Sequence, residues 1–198
     1  MRIRTRWAAG LLAAGAIVAG ALTGASVSAA PAPAAAVTTY PAPSVSLHLS
    51  PSSAQLAKCM PKANVNIRVD LTTDAVGYDA FNIRATGLPP HRAFTVFLLQ
   101  KAASPFGAAE YIGDITADRW GNATNQFRLI VQEGFSSTLV NGTRVRVDLN
   151  QVGMWFADPA GDDFCFGKGK GPITPFDGDN SAGIQAFNSV GTKGLPAP

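Results

Sequence analysis

The run Val65-Asn66-Ile67-Arg68-Val69-Asp70-Leu71 decides the fold class, because apolar and polar residues alternate along it without a break. Successive side chains of a strand point to opposite faces, so the pattern places the apolar groups on one side of a sheet and the polar groups on the other. A helix would scatter the same residues around its axis. Val45-Ser46-Leu47-His48-Leu49 and Val145-Arg146-Val147-Asp148-Leu149 repeat the alternation. Further strands are expected over 81–85, 94–100, 111–116, 126–131 and 183–187, and nothing beyond residue 44 reads at helical spacing.

Turn chemistry falls between these runs, at Thr73-Asp74, Gly87-Leu88-Pro89-Pro90, Asp118-Arg119-Trp120-Gly121-Asn122 and Asn141-Gly142. Asn-Gly supplies the positive φ angles of a tight hairpin, and Pro and Gly punctuate strands. Many short strands at this spacing predict an all-β domain in which two antiparallel sheets hide their apolar faces against each other, with a closed barrel as the second possibility.

Working outward, the N-terminus has the three-part plan of a secretory signal over 1–30. Arg2, Arg4 and Arg6 precede an uncharged run from Trp7 to Leu22, and small residues follow up to Ala29 and Ala30, where cleavage is expected. Residues 31–44 are a Pro/Ala-rich linker, 45–190 the β-domain and 191–198 a tail. No membrane span is expected once the signal is removed, since the apolar run is short of the length a spanning helix needs. The protein is therefore expected to be secreted.

The chain has 16 basic and 13 acidic residues. The three leader arginines account for the whole excess, so the remainder is balanced and offers no argument for nucleic-acid binding. There are two cysteines, Cys59 and Cys165. In an oxidising compartment they have only each other, and a bridge closing about a hundred residues would remove ~4.7 kcal/mol of unfolded-state freedom in the chain-entropy account.

The segment Ala85-Thr86-Gly87-Leu88-Pro89-Pro90-His91-Arg92-Ala93-Phe94-Thr95-Val96-Phe97-Leu98 resembles the Gly-Leu-Pro lead-in to a strand found in immunoglobulin-like and fibronectin-III-like bacterial domains. Gly113-Asp114-Ile115-Thr116-Ala117-Asp118-Arg119-Trp120-Gly121-Asn122-Ala123-Thr124 looks like the hairpin that often follows. The whole chain also resembles a group of exported proteins of high-GC bacteria that have no assigned activity. These resemblances imply an immunoglobulin-like sandwich and an exported address, and no reaction. The order of turns around Glu133-Gly134-Phe135 and Asn141-Gly142-Thr143-Arg144 is similar to that of enediyne-binding apoproteins; those carry four cysteines, and no ligand is carried over.

Residues 154–180 stand out, gathering Trp155, Phe156, Phe164, Phe166 and Phe176 among Gly, Pro and five aspartates. Long connections in a compact domain are often functional. As a ligand loop, Trp155, Phe156, Asp162, Asp163 and Phe176 would form the site, with ring faces and carboxylates suited to a carbohydrate or another envelope component. The other reading has the aromatics fold under the loop and close one end of the domain, as aromatics more often do. Asp177, Asp179 and Ser181 present oxygens at alternate positions, the donor set a calcium ion would take, although position 12 of that loop is Asn188 and the EF-hand pattern is not met.

No catalytic residue stands out. His48 and His91 are too few for a three-histidine metal centre, and the Gly-x-Ser-x-Gly elbow is missing. The expectation is a non-catalytic binding or cell-envelope interaction module without a cofactor. A small hydrolase using carboxylates such as Glu110 and Glu133 is the rival, and a subunit presenting an unpaired, apolar strand edge is the third possibility.

Overall fold

In the computed structural model, residues 44–71, 77–131, 134–175 and 181–196 are described. The alternating run is β2 (Asn64–Asp70), flanked by β1 (Ser44–Pro51) and β3 (Asp79–Thr86) in an antiparallel meander. β3 pairs on its far side with β6 (Ala123–Leu129). β4 (Ala93–Leu99) lies between β5 (Ala109–Thr116) and β9 (Gln151–Phe156), and β9 passes the sheet on to β12 (Gln185–Asn188). β1 joins the two halves: its first six residues pair with β2, while Ser50 and Pro51 sit opposite Asn188 and Phe187 of β12.

The result is one hydrogen-bonded sheet of eight strands in the order β5-β4-β9-β12-β1-β2-β3-β6. It curls until its outer strands lie alongside each other. No ladder joins them among the described residues; instead Asn125 Nδ2 donates to the carbonyl of Asp114 across the seam at 2.9 Å. A bulge in β5 sets this closure, since Val96 faces Gly113 while Phe97 faces Tyr111, leaving Ile112 without an opposite number. Gly113, at φ 152°, carries no side chain because the ring of Phe127 fills that space.

The expectation of a mostly β, antiparallel domain is met, with the layers joined into a nearly closed barrel. The strand order departs from that of immunoglobulin domains, whose second strand lies against the fifth. Here the third strand, β3, lies beside the second, β2.

Inside the curl, Leu47, Val65, Ile67, Phe81 and Ile83 meet Phe94, Val96, Leu98, Met154 and Phe156 in one core. The ring of Phe94 lies 4.9 Å from Phe156 and 6.5 Å from Phe187. Burying each large side chain contributes ~1.5–3 kcal/mol.

Two short helices depart from the strand-only expectation. α1 (Ala54–Cys59) is capped by Ser53 Oγ, which accepts from Leu56 N at 3.2 Å, and it buries Leu56. α2 (Asp163–Phe166) follows a 3-10 turn over Pro159–Asp162, whose start is capped by Asp158. Cys59 and Cys165 are bridged between these helices across a separation of 106 residues. Outside the eight-stranded sheet, β7 (Phe135–Val140) and β8 (Thr143–Asp148) form a ribbon of their own, and β10 (Thr174–Pro175) pairs with β11 (Ser181–Ala182). Among the described residues no helix is long and apolar enough to cross a membrane.

Candidate functional site

The outer face of β4 and β9 carries a second apolar cluster, separate from the core. Strand alternation sends Val96, Leu98, Met154 and Phe156 inward and turns Phe97, Leu99 and Trp155 outward. The indole of Trp155 lies edge-on between two rings, Phe97 at 5.4 Å and Phe106 at 5.0 Å. Phe106 arrives from the loop between β4 and β5, which is tied by Gln100 N to Ala108 O at 2.9 Å and Lys101 N to Phe106 O at 2.9 Å. Gln100 Oε1 accepts from Ala108 N, and its side chain fills the space beside Gly107, which sits at φ 73°. Gln185 Nε2 donates to Ala102 O at 3.0 Å and ties the same loop to β12.

These rings floor a cleft of about 530 Å3. Ser136, Ser137 and Thr138 of β7 line one wall, and Thr174 and Pro175 of β10 close another side. Among the described residues no charged side chain lines it. The size falls in the range of small-ligand sites, and the lining offers more polar than apolar surface above its aromatic floor.

The β7–β8 ribbon that forms the wall turns at Asn141 and Gly142, with φ 50° and 79°, the two positive angles expected of Asn-Gly. Its outward face is pinned by charge. Arg146 lies 4.0 Å above the ring of Phe135 and pairs with Asp148 at 3.1 Å, while Arg144 donates to Ser137 Oγ at 3.0 Å. The tip is apolar and open, with Leu139 64% exposed.

The expected loop over 154–180 begins inside a central strand, and of its expected site residues Trp155 lines the cleft. Trp155 is 1% exposed and Phe156 belongs to the core. Asp162 is fully buried. Its Oδ2 accepts from Ile184 N at 3.3 Å, its Oδ1 meets no hydrogen-bond partner, and burial raises its pKa above the usual carboxylate value. Asp163 is spent locally, its Oδ1 accepting from Gly169 N at 2.7 Å. Neither aspartate lines the cleft. Phe164 is 45% exposed at the disulfide end. Phe176, Asp177 and Asp179 lie outside the described residues, and Ser181 is exposed in β11. Among the described residues no three acidic, histidine or cysteine side chains cluster as a metal site would require.

The histidines are apart from one another. His48 shares a hydrogen bond with Asn66 Oδ1 at 3.2 Å on the outer sheet face, and His91 occupies a turn at φ 58°. Glu110 is exposed on β5, and Glu133 lies outside the described residues. Phe97, Phe106 and the β7 wall were not anticipated as site residues; the uncharged run Phe135-Ser136-Ser137-Thr138-Leu139-Val140 beside the Asn-Gly turn was the available signal.

No family model matches the chain, and no curated protein or solved structure does.

Proposed function

We propose that this protein is a secreted, non-catalytic binding module that takes its ligand in the cleft between the outer aromatic cluster and the β7–β8 ribbon. The observation that carries the reading is the cleft's make-up: rings of Phe97, Phe106 and Trp155 below, hydroxyl-bearing strand residues beside them, and no ionisable side chain among the described residues of the lining. An apolar floor gains from excluding water, while the hydroxyl and backbone groups orient what binds. Among the described residues of the lining no histidine, carboxylate or lysine stands beside a serine to activate it, which supports binding over hydrolysis.

Two features support the exported address. The positively charged, then apolar, then small-residue order of 1–30 suits export, and the Cys59–Cys165 bridge suits an oxidising compartment. An envelope component is the partner such an address supplies. The test has two arms. Mass analysis of protein recovered from culture medium is expected to show a chain beginning just after Ala29 or Ala30; retention of the leader in the cytoplasm would contradict secretion. Saturable ligand binding without turnover of polysaccharide or ester substrates is expected, and hydrolysis abolished by Glu110→Gln would contradict a binding role.

A further inference from the structure

We infer that the ligand class is an extended polypeptide segment, which enters the cleft as an added strand along the free side of β7; the inference rests on the cleft being the binding site. Three consecutive residues, Ser136, Ser137 and Thr138, line one wall. Neighbouring strand residues point to opposite faces, so side chains alone cannot place all three on one wall. Ser137 shows how this is resolved: its hydroxyl is turned to the ribbon's other face, where it accepts from Arg144. What Ser137 presents to the cleft is its backbone.

β7 pairs with β8 and with no other strand among the described residues. In an antiparallel pair, successive residues direct N–H and C=O alternately toward the partner and away from it. A strand paired on one side therefore leaves a row of donors and acceptors on the other. The group that matches such a row at the right spacing is the backbone of another strand, and strand addition is a recurrent way of holding a peptide. The floor then selects side chains. Every second residue of the guest would face Phe97, Phe106 and Trp155, and these apolar rings disfavour a charged residue there. β7 itself has no charged residue, so it does not repel a neutral guest.

The experiment titrates the full chain with a library of uncharged, end-capped pentapeptides of alternating Thr, Val and Tyr, following tryptophan fluorescence. Two versions of the best binder carry N-methyl groups on alternate amides, one set each, and 2-naphthol and cellotetraose serve as non-peptide probes. One methylated set is expected to bind about tenfold more weakly, having lost the hydrogen bonds to β7, while the other set binds as the parent does. Thr138→Lys, its fold checked by thermal melting, is expected to weaken the parent peptide as well. Equal binding by both methylated sets, or binding of 2-naphthol or cellotetraose alone, would overturn strand addition and leave the cleft as the site. Failure of every probe would overturn both.

Discussion

The indole of Trp155 lies across Gly153, its neighbour but one on the outer face of β9. A Cβ at Gly153 would stand 2.5 Å from the indole ring and 2.7 Å from both Gln185 Nε2 and Leu99 Cδ1. The missing side chain is what gives the ring its room at the floor of the cleft. Gly153→Ala is expected to cost ~1–3 kcal/mol through overpacking. Urea denaturation measures it, and an unchanged midpoint would show that the ring has room to move.

Closure of the sheet rests on a second glycine. Because Phe127 of β6 fills the space over Gly113 of β5, Gly113→Val is expected to push the ring out and part the seam. Faster amide exchange in β5 and β6 than in β2 is the expected reading. Uniform exchange across all strands would contradict a seam at that place.

Removing the covalent tie between α1 and α2 by a paired Cys59→Ser, Cys165→Ser change is expected to lower stability by ~2–5 kcal/mol. The same loss should follow from reduction of the native protein by dithiothreitol. If the reduced and native forms melt together, the bridge contributes little to the folded state.

Asp162 gives a pH dependence whose sign can be worked out. Burial, with a smaller push from Asp163, raises its folded pKa above 3.8, opposed by the Ile184 N–H. The folded state thus holds this proton more tightly than the unfolded state, and its contribution is fully present below the unfolded value and lost as pH rises through the folded one. Other carboxylates act in the opposite direction; Asp118 is lowered by backbone N–H groups, that of Asn122 first. The informative quantity is therefore the difference between Asp162→Asn and the native chain. The variant is expected to gain stability relative to native as pH rises from about 4, and a difference that does not change with pH would contradict a buried, proton-holding carboxyl.

The β-character was legible because β1, β2 and β8 alternate in composition, and the turn at Asn141-Gly142 was legible because two positive φ angles need such residues. β9 was not. It runs down the middle of the sheet and is covered on both sides, Val152, Met154 and Phe156 by the core and Trp155 by Phe97 and Phe106, so no period of two survives in its sequence. Its aromatics and the aspartates beyond it therefore read as a loop. The cleft was hidden for another reason: Phe97 and Trp155 approach only through the β4–β9 register, which residue spacing does not encode. α1 escaped notice because six residues are too few to show a helical stripe, though Ser53 is the cap such a turn requires.

The most direct test is an amide-resolved NMR titration of the full chain with its best-binding uncharged pentapeptide. The shifts should concentrate on Ser136, Ser137, Thr138, Phe106 and Gly107, with the Trp155 indole following at the same saturation point. Shifts gathered instead around Phe164 and the disulfide end, with the β7 amides unmoved, would contradict the account.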